Sequence, residues 1–287
     1  MNLTNQRRTL VLKAYLSRCS QEKMALLERF LPQEEQQRLS ALPPLKERQM
    51  PPRGSLLEEV HWSWFLPTLK SYPEREQGFF LHCLSGTAEH NLQQELNLFP
   101  AQEVVNPSGC LFLCQVLLHS LIGTEEQLIP KDYLPPSPLN VLSTMGKKGL
   151  VHLIDYLSLY DLAHEVRQIV ETKILKKIYS FLSEEEKRFL KVIPSNKEPY
   201  AVPRMGLEKW DKTEAHFRHL LHKRGLARLG AALSGQDPDL IWYVCHQLDI
   251  GRGTSLYKSC AKERMPVTSE WVARQIEELL IHKEISS

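Results

Sequence analysis

The chain has 287 residues, of which 42% are hydrophobic and 24% charged, a composition typical of globular proteins that can bury a large core. Its formal net charge of +2 excludes any argument for nucleic-acid binding from overall charge. Six cysteines in a chain of this length do not indicate a disulfide scaffold, so we expect a reducing, cytosolic setting.

The first residues do not form a convincing signal peptide, because Lys13 interrupts the apolar run and no small-residue cleavage site follows. The longest apolar stretch, residues 110–123, is too short to cross a membrane and contains Gln115 and His119. We predict that this stretch is a buried core helix and that the protein does not insert into a membrane.

Three proline-rich stretches, at 42–54, 129–138 and 193–206, separate long helical patterns. They divide the chain into four predicted parts: an N-terminal helical segment at 1–42, a helical module at 55–129, a second module at 139–193 and a third at 207–287. Alternation of β-branched residues is never sustained, and the turn pairs Asn-Gly and Asp-Gly are absent. We therefore predict an all-α fold.

Helix boundaries are marked in several places. Residues 22–42 show a helix, a restart at a proline and a second helix, and 62–85 and 171–193 repeat this rhythm. In the last segment, Ser183 is followed by three glutamates at 184–186. A serine cap with acidic residues in the first turn predicts a helix that begins after Ser183.

One stretch of the sequence occurs twice. KKGLVHLIDYLSLYD at 147–161 recurs as KRGLARLGAALSGQD at 223–237, with seven of fifteen positions identical. The leucines at 150, 153 and 157 match those at 226, 229 and 233, and their spacing places each set on one helix face. A short helix cannot bury such a face alone, whereas stacked helical pairs can, as in an α-solenoid.

Each copy is predicted to end its helix at a serine, Ser158 or Ser234, and to restart after a short loop. In the second copy Asp237 can cap the next helix, Pro238 suits its first position, and Asp239 complements the helix dipole.

The C-terminal residues predict one more helix. Val272, Ile276 and Leu279, with Leu280 beside them, share one helical face. We expect Thr268 or Ser269 to cap this helix.

Candidate metal ligands are few. Cys110, Cys114 and His119 share one apolar stretch, but a zinc site needs four ligands in tight pairs, and the sequence offers no second pair. The histidines at 216, 219 and 222 share a helix face, where a polar surface is a simpler interpretation than metal binding or a pH response. We predict no metal site.

The sequence contains no nucleophile elbow, P-loop, dinucleotide fingerprint or kinase signature. Residues 251–260 are glycine-rich but lack Walker spacing, so we predict a loop between helices there. We predict that the protein is not an enzyme and uses no cofactor.

Nucleic-acid binding through the last helical module is the alternative function. Capped helices with the sequence VARQIEELL are similar to winged-helix patterns, and Arg264, Arg274 and Lys283 lie nearby. Three glutamates, at 270, 277 and 278, lie among these basic residues. Phosphate contact needs a basic face, and this one is mixed, so we expect no nucleic-acid partner.

Residues 141–193 resemble the C-terminal module of the flagellar motor-switch protein FliG. The features that carry this resemblance are the helix Leu150–Leu157, the Asp161-Leu162-Ala163 entry into the next helix, and the charged helix Ser183–Leu190. Residues 224–249 and 266–285 resemble the same module a second time. About 125 of the 287 residues are covered, through patterns of apolar residues.

The resemblance implies stacked short helices in an armadillo-like, right-handed superhelix with two tandem FliG C-terminal-like modules. It also implies a scaffold role in the cytoplasmic ring of a bacterial flagellar basal body or type III secretion sorting platform, peripheral at the cytoplasmic face of the inner membrane. The implied partners are an inner-membrane ring protein and a second cytoplasmic ring protein, and self-assembly stays open.

Two departures from the family limit this role. The order Glu184-Glu185-Glu186-Lys187-Arg188 lacks the acids that follow the basic residues in the family's torque helix, and its middle-domain and hinge signatures are missing. We therefore expect a scaffold that does not generate torque.

Partner contacts follow from the same resemblance. Glu185, Lys187 and Arg188 occupy the position of the torque helix and are the implied contact residues. Trp242 and Tyr243, beside Asp239, form a second candidate surface, although one of the two rings is expected in the core.

Overall fold

A computed structural model describes residues 19–42, 55–84, 86–98, 105–122, 128–193, 205–207, 210–261 and 266–286, together with Thr9, Leu12, Lys13 and Leu16. Throughout these residues the regular structure is helical and contains no β-strand, which confirms the predicted all-α class. Most of the predicted proline-rich breaks at 42–54 and 193–206 lie outside the described residues. No described helix is long and apolar enough to cross a membrane.

Fourteen α-helices are described: α1 Gln21–Glu28, α2 Gln33–Ala41, α3 Ser55–Glu59, α4 Leu66–Leu69, α5 Glu74–Leu81, α6 Thr87–Leu96, α7 Pro107–Ile122, α8 Gly146–Val166, α9 Thr172–Phe181, α10 Glu184–Val192, α11 Glu214–Leu233, α12 Pro238–Gln247, α13 Ile250–Cys260 and α14 Pro266–Ser286. Short 3-10 helices at Trp62–Trp64, Lys131–Tyr133 and Pro138–Thr144 join some of them.

The predicted capping signals act where the sequence places them. Ser183 and Glu186 form a capping box at α10: the Glu186 amide donates to Ser183 Oγ at 3.1 Å, and the Ser183 amide donates to Glu186 Oε2 at 2.7 Å. Asp237 accepts from the Asp239 amide at 2.9 Å, and Pro238 occupies the first position of α12. These two helix starts are therefore encoded locally.

The predicted helix end at Ser158 is wrong, because α8 continues to Val166. Ser158 Oγ donates to the Asp155 carbonyl at 2.5 Å, so this hydroxyl is satisfied within the helix. Three residues later Asp161 is fully buried and forms ion pairs with Arg224 and Arg228 of α11. This long-range pairing keeps Asp161 in the middle of α8 instead of at a cap.

Two other predicted boundaries are also wrong. Residues 251–260 form helix α13 instead of a loop, and Asp249 caps it by accepting from the Arg252 amide at 3.1 Å. The last helix, α14, begins at Pro266, so Thr268 and Ser269 lie within its first turn instead of capping it. The predicted apolar face of α14 is confirmed, since Val272, Ile276 and Leu279 are buried.

The apolar stretch 110–123 forms helix α7, but it is not the buried core helix that was predicted. Of the residues in α7, Leu117 alone is fully buried. Leu111 and Phe112 are 59% and 64% exposed.

Two hydrophobic cores organise the described helices. The smaller core lies between residues 57 and 117 and includes Phe65, Leu69 and Leu81. The larger core draws on every helix from α8 to α14. Leu56 and Leu128, near the two ends of the predicted module at 55–129, pack against the larger core, which the two later predicted modules share.

The two cores meet at a stack of three rings. His246 lies between Trp64 and Trp242, with ring centroids 4.2 Å and 3.9 Å away. Trp64 Nε1 donates to the Leu248 carbonyl at 2.8 Å, and the His61 amide donates to the His246 carbonyl at 2.8 Å. These contacts fix the first part of the 55–129 module onto α12.

The two copies of the repeated sequence pack against each other, since α8 and α11 lie side by side in the larger core. His222 Nδ1 lies 2.9 Å from Asp155 Oδ1, and Arg224 and Arg228 reach Asp161. Matched residues nevertheless differ in their contacts. Asp161 is a buried ion-pair partner, whereas its counterpart Asp237 caps a helix.

Candidate partner-binding surface

Helix α9 presents a basic surface. This helix is strongly amphipathic: Ile178 is buried in the larger core, and Ile174 and Leu175 pack against it. On the opposite side the lysines at 173, 176 and 177 are exposed. We call these three residues, Lys173, Lys176 and Lys177, the lysine face.

The lysine face has one acidic neighbour in the chain, the exposed Glu171 just before α9, and no ion pair with it. None of the three side-chain ammonium groups forms an ion pair or hydrogen bond with another described residue. The helix contains no aspartate or glutamate, and its lysines are spaced three and four residues apart, where like charges repel. Lys173 also lies in the first turn, where the helix dipole disfavours a positive charge.

The neighbouring helix α10, which the sequence analysis proposed as the contact helix, has a different charge pattern. Glu185 and Arg188 are exposed and Lys187 is partly exposed. Lys187 forms an ion pair with Glu184 at 2.7 Å, and Arg188 Nε donates to the Glu184 carbonyl at 3.3 Å. A hydrogen bond from Lys187 holds the pKa of Glu184 below its usual value. The charges of α10 are thus partly balanced within the helix itself.

A buried carboxylate anchors α10 to the core. Arg218 of α11 contacts both carboxylate oxygens of Glu186, at 2.6 Å and 3.1 Å, and also donates to the Phe181 carbonyl at the end of α9. A bidentate arginine–carboxylate pair of this kind fixes the relative orientation of the two side chains as well as the distance between them. Glu186 and Arg218 therefore hold the α9–α10 hairpin in one position on α11.

Two exposed valines lie at one end of the hairpin. Arg167, just after α8, donates to the Ile193 carbonyl at 3.0 Å, so the end of α10 lies beside the end of α8, close to the chain segment that leads into α9. Val170 is 96% exposed and Val192 is 68% exposed. This end therefore combines apolar side chains with the nearby lysine Lys173.

The second predicted surface, Trp242 and Tyr243, is engaged inside the molecule. Tyr243 is buried, and its hydroxyl donates to the Ile129 carbonyl at 2.9 Å. Burial raises the pKa of Tyr243 well above its usual value. Trp242 is partly buried between the two cores, and its indole N–H donates to the Leu121 carbonyl at 3.4 Å. Both rings therefore join parts of the fold together.

Sequence reasoning missed one partner of the cysteines on α7. Cys83 follows α5, and the Cys114 thiol donates to its backbone carbonyl at 3.7 Å. Burial, the largest cause, raises the pKa of Cys83 and of Cys114. No local signal links Cys83 to α7, because the packing of α5 on α7 brings them together. His119 is exposed, and the described residues contain no cluster of three or more ligands suited to a metal ion.

Two of the three aligned histidines of α11 have separate contacts, and the third, His219, is exposed. His222 lies between Asp155 and Arg252, at 2.9 Å and 2.8 Å. His216 lies 3.3 Å from Asp211 near the start of the helix.

The described exposed side of α14 carries Glu270, Arg274 and Glu278 at four-residue spacing. This face is mixed in charge and has more acidic than basic residues.

No protein-family model matches the chain, and no curated protein or solved structure matches it either.

Proposed function

We propose that this chain is a non-enzymatic adaptor in the cytoplasmic ring of a bacterial type III secretion system or flagellar basal body. In this role it links an inner-membrane ring protein to other cytoplasmic ring components, at the cytoplasmic face of the membrane. The proposal draws on the resemblance of residues 141–193, 224–249 and 266–285 to the FliG C-terminal module. It also draws on a surface that internal contacts leave uncompensated.

We also propose the finer architecture, two tandem armadillo-like modules. The order of α11 to α14, with a capped restart at Asp237, fits one such module. In the other module, the single helix α8 corresponds to the two helices α11 and α12. Helices α9 and α10 follow α8 in the chain. This difference arises where Asp161 is buried and Asp237 is a cap.

The lysine face is the single observation that carries the adaptor role. Three exposed, unpaired lysines lie on a helix that is held in place by its buried face and by Glu186 and Arg218. A rigid surface loses little conformational entropy when a partner binds. Charge that is not balanced within the fold also supplies specificity and speeds association.

Purification of the tagged full-length chain from its native cell tests this proposal. We expect a basal-body inner-membrane ring protein and a cytoplasmic ring protein to co-purify, with or without nuclease treatment. Recovery of nucleic acid, with protein partners that nuclease treatment releases, would instead support the nucleic-acid alternative. An untagged strain grown and lysed in parallel is the control.

A further inference from the structure

We infer that the lysine face of α9 binds an acidic segment of a partner protein, with Val170 and Val192 as the apolar contacts at its end. This inference deepens the proposed adaptor function and rests on it. It names the chemistry of the partner: carboxylates spaced to reach Lys173, Lys176 and Lys177, and at least one apolar side chain beside them.

The arrangement of the lysines is unfavourable for the isolated protein. Like charges repel along α9, and Lys173 opposes the helix dipole. Carboxylates bound at this face would reverse both effects, because they would neutralise the lysines and complement the positive end of the helix. The face is therefore better matched to a bound acidic partner than to water.

The surrounding charges define which end of the hairpin an acidic segment can approach. The chain turns between α9 and α10 at Leu182 and Ser183, and Arg167 brings the end of α10 next to the end of α8. Lys191 is exposed near that end of α10. The acidic start of α10, by contrast, lies at the far end of the hairpin. An acidic segment therefore binds toward the start of α9, where the valines also lie.

A protein segment fits this surface better than a membrane or a nucleic acid does. A membrane-binding helix must place its apolar face in the lipid, and Ile178 on the apolar face of α9 is already buried in the core. A nucleic-acid duplex presents phosphates over a long span, whereas this face offers three lysines on a single ten-residue helix. Exposed valines also offer nothing to a phosphate, whereas they can pack against an apolar side chain of a peptide.

Binding of a fluorescein-labelled peptide of alternating glutamate and leucine to the full-length chain tests the inference. We expect saturable binding that weakens as salt rises, and no comparable binding of the same peptide with glutamine in place of glutamate. The triple variant Lys173→Glu, Lys176→Glu, Lys177→Glu should weaken binding at least about tenfold, from the loss of three exposed charge contacts. Val170→Ser with Val192→Ser should weaken it by a smaller factor.

A matched control carries the same charge change elsewhere. Lys148→Glu, Lys223→Glu, Lys258→Glu alters three lysines that are also exposed and lie outside the hairpin. We expect this control to bind the peptide nearly as the unaltered chain does. Equal loss of binding in both triple variants would overturn the inference, because net charge alone would then explain it. Thermal unfolding of each variant establishes that it is folded.

Two further measurements separate the possible partners. Tighter binding of a DNA duplex or of phosphatidylserine vesicles than of the acidic peptide, lost in the lysine-face variant, would overturn the inference in favour of that partner. Unchanged co-purification of ring proteins with the lysine-face variant would also overturn it but leave the proposed function intact. If the peptide binds but no ring protein co-purifies from the native cell, the proposed function would be overturned. The lysine face would then still be assigned as a binding surface for acidic segments.

Discussion

Gly225 lies directly against the backbone carbonyl of Ile154, where the second copy of the repeated sequence packs on the first. A Cβ atom at Gly225 would lie 1.8 Å from that carbonyl oxygen, closer than any atom can approach. At Gly149, the matching position of the first copy, the nearest atoms are Cβ and Cε of Met145, both at 3.3 Å, a contact that a shift of a few tenths of an ångström relieves. The close packing of α8 on α11 therefore depends on a glycine in one copy alone.

The first prediction follows from this contact. Gly225→Ala should lower the free energy of unfolding by about 3 kcal/mol, because the helices must separate to accept the methyl group. Gly149→Ala should change it by less than about 1 kcal/mol, since Met145 can move and alanine favours the helix. Urea unfolding of both variants measures the difference. Equal effects at the two positions would contradict the packing of α8 on α11.

The second prediction concerns the buried ion pairs of α8 and α11. Asp161 is fully buried and contacts both Arg224 and Arg228. Asp161→Asn leaves the two arginines without a counter-charge, so it should destabilise the protein by about 3–5 kcal/mol. Asp237→Asn is the matched control in the second copy, and it should be nearly neutral because asparagine also caps helices. Thermal and urea unfolding test both changes.

The third prediction concerns the anchor of the α9–α10 hairpin. Glu186→Ala removes the capping box of α10 and the pair with Arg218, so it should cost roughly 2 kcal/mol of stability. Glu185→Ala, one residue away on the exposed side, should stay within about 0.5 kcal/mol of the unaltered protein. Hydrogen exchange should show faster exchange in α10 for the first variant. Equal exchange in both variants would mean that Glu186 does not anchor the hairpin.

The fourth prediction concerns pH. Burial lowers the pKa of His246 to about 4, from an ordinary value of 6.5. The unfolded chain therefore binds more protons than the folded protein between these values, and stability should fall as the pH drops from about 6.5 toward 4. His246 alone can lower the free energy of unfolding by up to about 3 kcal/mol at acid pH. Above neutral pH it contributes no pH dependence, because the histidine is neutral in both the folded and the unfolded state.

Burial also lowers the pKa of His61 to about 4, so part of this pH dependence belongs to that residue. His246→Asn should reduce the loss of stability at acid pH, at the expense of lower stability at neutral pH because the ring stack is gone. His119→Asn, at an exposed position on α7, is the control and should keep the original profile. A profile unchanged by His246→Asn would contradict the role assigned to this ring.

The sequence predicted the features that local signals encode. Ser183 with Glu186, and Asp237 with Pro238, are short-range patterns that act through neighbouring backbone groups, so they could be identified without a structure. The apolar face of α14 followed from helical spacing in the same way. The two helices within residues 171–193 were also predicted from the sequence.

Features that depend on distant residues could not be predicted. Helix α8 continues beyond Ser158 because Asp161 forms ion pairs with arginines more than sixty positions later in the chain. No local sequence pattern shows this pairing. The partner Cys83 is likewise brought to α7 by packing alone. The emphasis on α10 instead of α9 had another cause, since it followed from the torque-helix position in the resemblance, although Glu184 and Lys187 are three residues apart and pair within the helix.

The most direct test of the central claim, that the lysine face is the contact surface of a ring adaptor, is site-specific photo-crosslinking in the native cell. A photoreactive residue would replace Lys177 in one strain and Lys258, an exposed lysine of α13, in another. The account predicts an adduct from position 177 with an acidic segment of a basal-body or cytoplasmic ring protein, and none of that adduct from position 258. The same adducts from both positions, or none with a ring protein from position 177, would contradict it.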